Sequence, residues 1–282
     1  MLASLVLTLG ADRRQSLPPH LGRASHAVFL RLVAEADAAL AARLHEPDAR
    51  RPFTCSAPWG GRREGRSLVL PAGAPLYLRY TGLSAEVSAH LERLAERPPQ
   101  QVELEGARLA VQQATLDPQV HPWAGCARYE ELASRHLLPG HAPSHRAELE
   151  FASPTAFRSA GRVVPLPLPA LVFGGLVEKW NAFAPVAVSE EVRRFAEECL
   201  AISRYHLSTR ALEAKDGSLQ IGFVGQCRYT ALNRDRYWLS LIQLLTDYAF
   251  YAGVGYQTTV GMGQARRAPE REQPGEDGER GD

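Results

Sequence analysis

At 282 residues, 45% of them hydrophobic and 22% charged, the chain is long enough for two soluble globular domains, each with its own core. No run approaches the ~18 apolar residues of a membrane span, and residues 1–9 lack the basic start of a signal peptide, which points away from membranes and toward the cytoplasm. The formal net charge of +1 hides an asymmetry: six of the 31 acids and two of the 32 basic residues lie in 270–282, leaving 30 against 25, or +5, for the rest.

Residues 2–9 are apolar and predict a first strand. After Pro18 and Pro19 one helix is expected to run to about residue 44, because Phe29, Val33, Ala36, Leu40 and Leu44 are spaced as a single buried stripe. Strands are expected at 53–56, 67–70 and 76–81. Ser84, with Glu86 in the first turn, opens a helix to about residue 96, which Pro98 and Pro99 stop. Residues 101–116 alternate as one or two closing strands.

The second half repeats this order. A strand at 146–151 is followed by a proline-punctuated loop at 153–169, a helix at 170–183 and a further helix near 189–201. Paired strands at 205–212 and 219–230 are turned by Asp216-Gly217, a hairpin signal. A helix at 235–250 leads into a glycine-rich loop and a short last strand. Two βαββαβ units in tandem predict an α+β protein with two ferredoxin-like, RRM-like domains. The expected boundaries are 1–118 and 145–267, with a loop-rich segment at 119–144 and a disordered acidic tail at 268–282. His136, His141 and His145 in and beside that segment suit no single helix face and read as solvated loop histidines. Cys55, Cys126, Cys199 and Cys227 have no C-x-x-C spacing, which suits a reducing compartment; neither metal nor cofactor is expected.

The densest local signal is Gly253-Val-Gly-Tyr-Gln-Thr-Thr-Val-Gly-Met-Gly263, just before Arg266 and Arg267. Glycines free the backbone to turn sharply and approach a ligand, and successive exposed N–H groups can form an anion cradle. The loop follows a helix and carries Thr258 where a dinucleotide fingerprint needs glycine, and a Walker loop needs a Gly-Lys pair that is missing here. The anion expected is therefore a nucleic-acid backbone phosphate, and the arginine-rich body permits that partner.

Four further strings occur with the loop: Leu149-Glu-Phe-Ala-Ser-Pro-Thr-Ala-Phe-Arg158, Pro165-Leu-Pro-Leu-Pro-Ala-Leu-Val-Phe173, Trp180-Asn181 and, in the first half, Arg51-Pro-Phe-Thr-Cys-Ser56. With Leu17-Pro-Pro-His-Leu-Gly22 they resemble the CRISPR-associated endoribonuclease family that processes repeat-containing precursor RNA, over about residues 1–267. The resemblance implies two ferredoxin-like domains and metal-independent cutting within CRISPR repeats. In that reaction the ribose 2′-OH attacks the adjacent phosphate, leaving a 2′,3′-cyclic phosphate and a 5′-OH. It implies CRISPR repeat RNA as partner, with a CRISPR effector complex and a homodimer as further expected associations. A non-catalytic RNA-binding subunit of such a complex is the alternative on the same fold.

A histidine near the first helix commonly moves a proton in that family, and His26 matches its position. Arg23, three residues earlier, lies on a neighbouring helical face within reach of a shared phosphate. His20 joins them only if the turn at Pro19 redirects it, since six residues separate it from His26. No lysine precedes Lys179 and no tyrosine precedes Tyr77, so the positive charge falls to Arg13, Arg14, Arg23 or a second-domain residue. For RNA binding the resemblance implicates Gly253, Gly255, Gln257, Thr258, Gly261, Gly263, Arg266 and Arg267. Arg158 and Arg162 read equally as RNA contacts or solvated loop charges.

Overall fold

A computed structural model describes residues 1–46, 50–65, 67–138, 140, 142–213 and 219–269. Strand β1 (Leu2–Gly10) is buried along nearly all its length. Next come β2 (Gln15–Leu17), α1 (Gly22–Ala36), α2 (Ala38–His45), β3 (Phe53–Cys55), β4 (Trp59–Gly60), β5 (Arg62–Glu64), β6 (Ser67–Leu70) and β7 (Leu76–Gly82). The unit closes with α3 (Ala85–Glu96), β8 (Gln101–Leu104) and β9 (Ala107–Thr115). Its sheet runs β3-β7-β1-β9-β8, so the first and third strands of the βαββαβ unit are central and the second and fourth flank them. Val28, Phe29 and Val33 of α1 and Val87 and Leu91 of α3 share one core with Leu5, Leu7 and Leu9 of β1. Between β8 and β9, Glu105 and Gly106 both take positive φ, 48° and 79°, the conformation of a tight hairpin turn.

The second unit is built from β11 (Arg146–Thr155), β12 (Phe157–Ser159), β13 (Arg162–Val164), α5 (Pro169–Phe183), α6 (Val192–Cys199), β14 (Leu200–Glu213), β15 (Leu219–Ala231), α7 (Arg236–Ala252) and β16 (Ala265–Arg267). Its sheet order, β14-β15-β11-β16, is again second, third, first, fourth. Phe173, Val177 and Trp180 of α5 and Leu241, Leu245 and Tyr248 of α7 bury against Leu149, Phe151, Phe223 and Tyr229 of this sheet. Trp180 and Phe173 are thus core residues. The tandem ferredoxin-like architecture expected from the sequence is the one observed.

Three expectations are corrected. The single first helix is two, because Asp37 leaves the helical conformation and its carboxylate accepts the N–H of Leu40, starting α2. Residues 119–144 are not mainly loop. They hold β10 (Gly125–Ala127), paired with β1, and α4 (Tyr129–Leu137), whose Tyr129 and Leu132 enter the second unit's core with Leu2 and Leu83 of the first. His136 is accordingly no solvated loop histidine: it sits on α4 with its Nε2 2.6 Å from Asp247 Oδ2 on α7. Finally, the proline-rich 153–169 stretch contains the end of β11 and the β12–β13 hairpin. The Asp216-Gly217 turn, His141 and the tail beyond residue 269 lie outside the described residues. Among the described residues no helix is long and apolar enough to cross a membrane.

Candidate active site and nucleic-acid interface

The site is organised from the end of α7. A helix leaves its last carbonyls without intrahelical donors, and those carbonyls carry the negative end of the helix dipole. Here each finds a donor from another element. Phe250 O accepts from Arg79 Nη2, Tyr251 O from Thr81 Oγ1 at 2.7 Å, and Ala252 O from Lys179 Nζ at 2.8 Å. Arg79 and Thr81 lie on β7 of the first domain, so this helix end is also where the two domains meet. Arg79 is 1% exposed and makes further bonds to Ser4 Oγ, Trp123 O and Gln264 Oε1, with its guanidinium against the Trp123 and Phe250 rings. Burial pulls that guanidinium down to about 9, with Tyr251 opposing the shift, so it remains charged at neutral pH.

The glycine-rich loop leaves this helix end and docks on the first domain. Cys55 N–H donates to Thr258 O at 3.0 Å, and Gly261 N–H returns the bond to Cys55 O at 3.0 Å. The loop tip also meets the start of α1, where a side chain at Gly22 would overlap the Val260 carbonyl. Gly253, Gly255, Gly261 and Gly263 all take positive φ, as an L side chain rarely does. The open cradle of N–H groups expected across the loop is therefore narrower than the glycine pattern suggests. The N–H groups of residues 253, 254, 256 and 260–264 all donate to protein acceptors, and Gly253, Thr258, Gly261 and Gly263 are buried.

His26 sits where the loop meets α1. Its half-buried ring stacks on Phe53 with centroids 5.6 Å apart, and Nδ1 lies 2.9 Å from Thr259 O. A carbonyl can only accept, so Nδ1 carries the proton and Nε2 keeps its lone pair. Burial lowers the imidazole below its ordinary 6.5; the Thr259 bond opposes this, while the charges of Arg51, His45 and Arg23 add to it. The ring is therefore neutral near pH 7 and oriented, with Arg51, His45 and Arg23 acting on it, so its free Nε2 is able to accept a proton.

A cleft of about 1240 Å³ opens between the domains, lined among others by His20, Arg23, Arg63, Trp123, Arg210 and Gln257; His26 is not part of its lining, which reaches α1 through Arg23, Ala24 and Ala27. His20 and Arg23 both line this cleft. The cleft's arginines come from both domains, as binding a polyanion along the groove requires.

Family comparison agrees with this geometry. Residues 1–134 match the model of the CRISPR Cas6 N-terminal domain, and residues 149–265 match that of the CRISPR-associated endoribonuclease Cas6. The chain belongs to the Cas6 family. A Cas6 product complex is 29% identical, with a TM-score of 0.74 over 95% of this chain and 99% of that one. The Thermus thermophilus Cas6 is 25% identical, with a TM-score of 0.72 over 95% and 98%. The CRISPR-associated endoribonuclease Cas6 of Mycobacterium tuberculosis is 26% identical over 129 residues, 45% of this chain but only 40% of that relative's length.

Other expected contacts of this Cas6 chain are distributed differently. Arg266 and Arg267 are consecutive on β16 and point to opposite faces. Arg266 pairs with Glu150 at 2.7 Å and lies 4.6 Å above the Trp123 ring, near the cleft. Arg267 faces α7, bonded to Asp247 Oδ1 and to both the side chain and the carbonyl of Gln243. It thus serves as a clamp between β16 and α7. Arg158 is exposed on β12 over the Tyr256 ring at 5.4 Å, and Arg162 is exposed on β13. Arg13 and Arg14 lie in the exposed turn after β1, and Arg14 pairs with Glu64. Sequence reasoning missed Arg51, Arg79, Trp123, Lys179 and Thr259. Arg51 stood inside a quoted motif. Arg79 was detectable as a charge in a strand-like run, Leu76-Tyr-Leu-Arg-Tyr-Thr81, where only a covered second face would bury it.

Proposed function

We propose that this chain is a metal-independent endoribonuclease that cuts precursor CRISPR RNA within its repeats to make guide RNAs. The observation that carries the reading is the neutral His26 imidazole, fixed through Nδ1 by a carbonyl of the opposite domain, on the helix whose Arg23 and Ala27 line an arginine-rich interdomain cleft. Solved Cas6 relatives at 29% identity in product and substrate-mimic complexes support the same substrate class.

In the proposed step His26 Nε2 takes the proton of the ribose 2′-OH. The 2′-oxygen bonds to phosphorus as the bond to the 5′-oxygen breaks, and His20 returns a proton to that leaving oxygen. Arg23 and Arg51 offset the charge that develops on the phosphorane. The products are a 2′,3′-cyclic phosphate and a 5′-OH. The nucleophile is internal to the substrate, so proton transfer and charge stabilisation supply what the reaction needs. Arg210, Arg63, Arg266 and the exposed Arg158 and Arg162 extend the basic path for RNA, with Gln257 as a donor on the cleft wall.

The test is purified protein with a labelled repeat RNA in EDTA. Cutting should stop when the scissile nucleotide lacks its 2′-OH. His26→Ala should slow cutting about 100-fold or more and leave RNA affinity near wild type, the range of acid–base contributions. Wild-type cutting by His26→Ala would remove it from the mechanism. Binding without any cutting by the wild type would assign the chain instead to a non-catalytic RNA-binding subunit.

A further inference from the structure

Lys179 has no part in the proton transfers above, yet its amine, which burial pulls down to about 7, is held at the neck of the glycine-rich loop. We infer that Lys179 is a positioning residue for His26: it anchors the loop whose Thr259 carbonyl holds the imidazole in the Nδ1–H tautomer. This rests on the reading of His26 as the group that moves a proton.

The path is short and continuous. Lys179, on α5, donates to Ala252 O at 2.8 Å and Gly253 O at 3.2 Å, and Thr258 Oγ1 lies 3.5 Å away. Ala252 ends α7 and Gly253 is its cap, so the amine sits on the negative end of the helix dipole and ties it to the loop. The neck is closed by Val254 N–H donating to Gly263 O at 2.8 Å. Thr258 plugs it: a side chain at either Gly253 or Gly263 would press on Thr258 Cγ2. From that plug two successive carbonyls reach across to the first domain, Thr258 O to Cys55 N–H and Thr259 O to His26 Nδ1. Only one peptide separates the residue facing Lys179 from the one that holds the catalytic ring.

A free imidazole favours the Nε2–H tautomer, which would leave no lone pair at Nε2. The Thr259 carbonyl reverses that preference, and it can do so only from a fixed position. Glu178, next to Lys179, is paired with Arg50 and Arg193. The polar contacts of the amine are instead the two carbonyls and the threonine hydroxyl. Loss of Lys179 would leave the carbonyls of Ala252 and Gly253 without this donor and loosen the neck.

The experiment uses the full chain with ¹⁵N-labelled histidine at pH 7, with the His26 signal assigned by its loss in His26→Ala. Long-range ¹H–¹⁵N correlation should show wild-type His26 protonated at Nδ1 and bare at Nε2. In Lys179→Met the two tautomers should mix, and cutting at saturating repeat RNA should slow by about 10- to 100-fold, the effect of a misplaced catalytic group, with KM nearly unchanged. Lys179→Gln retains a donor and should recover most of both. A wild-type His26 in the Nε2–H form overturns the inference, as does a folded Lys179→Met with wild-type tautomer and rate. If Lys179→Met does not fold, the wild-type tautomer and Lys179→Gln decide it. Because the tautomer is read without RNA, its outcome is separate from a failure of His26→Ala to slow cutting.

Discussion

Replacing Arg79 with Met tests whether one buried cation holds the two domains together. The guanidinium reaches four acceptors, but they do not suffer equally from its loss. Ser4 Oγ and Trp123 O keep each other, since that hydroxyl donates to that carbonyl at 2.5 Å. Gln264 Oε1 and Phe250 O lose their donor where Arg79 and Gln264 are buried. Two buried acceptors left unsatisfied cost about 2 kcal/mol each, and cation–π contact with two rings adds about 1 kcal/mol. Met fills much of the volume between Trp123 and Phe250, and the desolvation cost of burying a cation disappears, which offsets part of the loss. The net expectation is about 3 kcal/mol of destabilisation. Urea unfolding reads it as a lower midpoint at a similar slope. Arg79→Lys keeps the charge but cannot span the acceptors, so it should fall between the two. A loss below about 1 kcal/mol in Arg79→Met would show that the interface does not depend on these bonds.

Two other changes probe the loop and the clamp behind the sheet. Gly22→Ala should push the loop tip off α1, since the new methyl overlaps the Val260 carbonyl. Overpacking of this kind costs about 1–3 kcal/mol, and cutting should slow while the far-ultraviolet spectrum stays native; wild-type cutting would refute the docking argument. Burial alone would raise the Asp247 carboxyl, but the His136 hydrogen bond and the Arg267 guanidinium outweigh it and hold the group below its ordinary range. Its folded value lies below its unfolded one, so its contribution is present above about pH 4 and lost as pH falls through the folded value. Asp247→Asn should lower stability by about 3 kcal/mol at pH 7 and flatten the acid end of the stability profile, while RNA affinity stays near wild type. A large fall in affinity would return Arg267 to the RNA interface.

Much of the fold was legible because its signals are local. The continuous apolar run of β1, the alternation in β11 and the apolar stripes of α1 and α7 are all readable from neighbouring residues alone. The errors lie where a local pattern is compatible with two structures. The stripe through Phe29, Val33, Leu40 and Leu44 continues on either side of Asp37, so periodicity alone reads one helix where a capping carboxylate starts a second. The 119–144 segment looked like a loop because α4 is short and its buried face, Tyr129 and Leu132, packs on a core supplied by residues far away in sequence.

The site shows the same limit in sharper form. Alternation on a strand already forbids Arg266 and Arg267 from facing one ligand, so one of the pair was bound to turn inward, and Asp247 on α7 determines that it is Arg267. The glycine loop is the opposite case, in which no local rule could decide. Glycine is needed wherever backbone must come close to something, whether a phosphate or another strand. What separates the two is where the N–H groups go, and those of residues 253, 254, 256 and 260–264 go to Ala249, Gly263, Ala156, Gln257, Pro154 and Ser153 of the second domain and Cys55 of the first. A loop whose donors are so largely used inward can act on RNA chiefly through its carbonyls and side chains. The carbonyl that matters most is the one that meets His26, so a motif that reads as a phosphate cradle becomes, once folded, a support for the His26 ring.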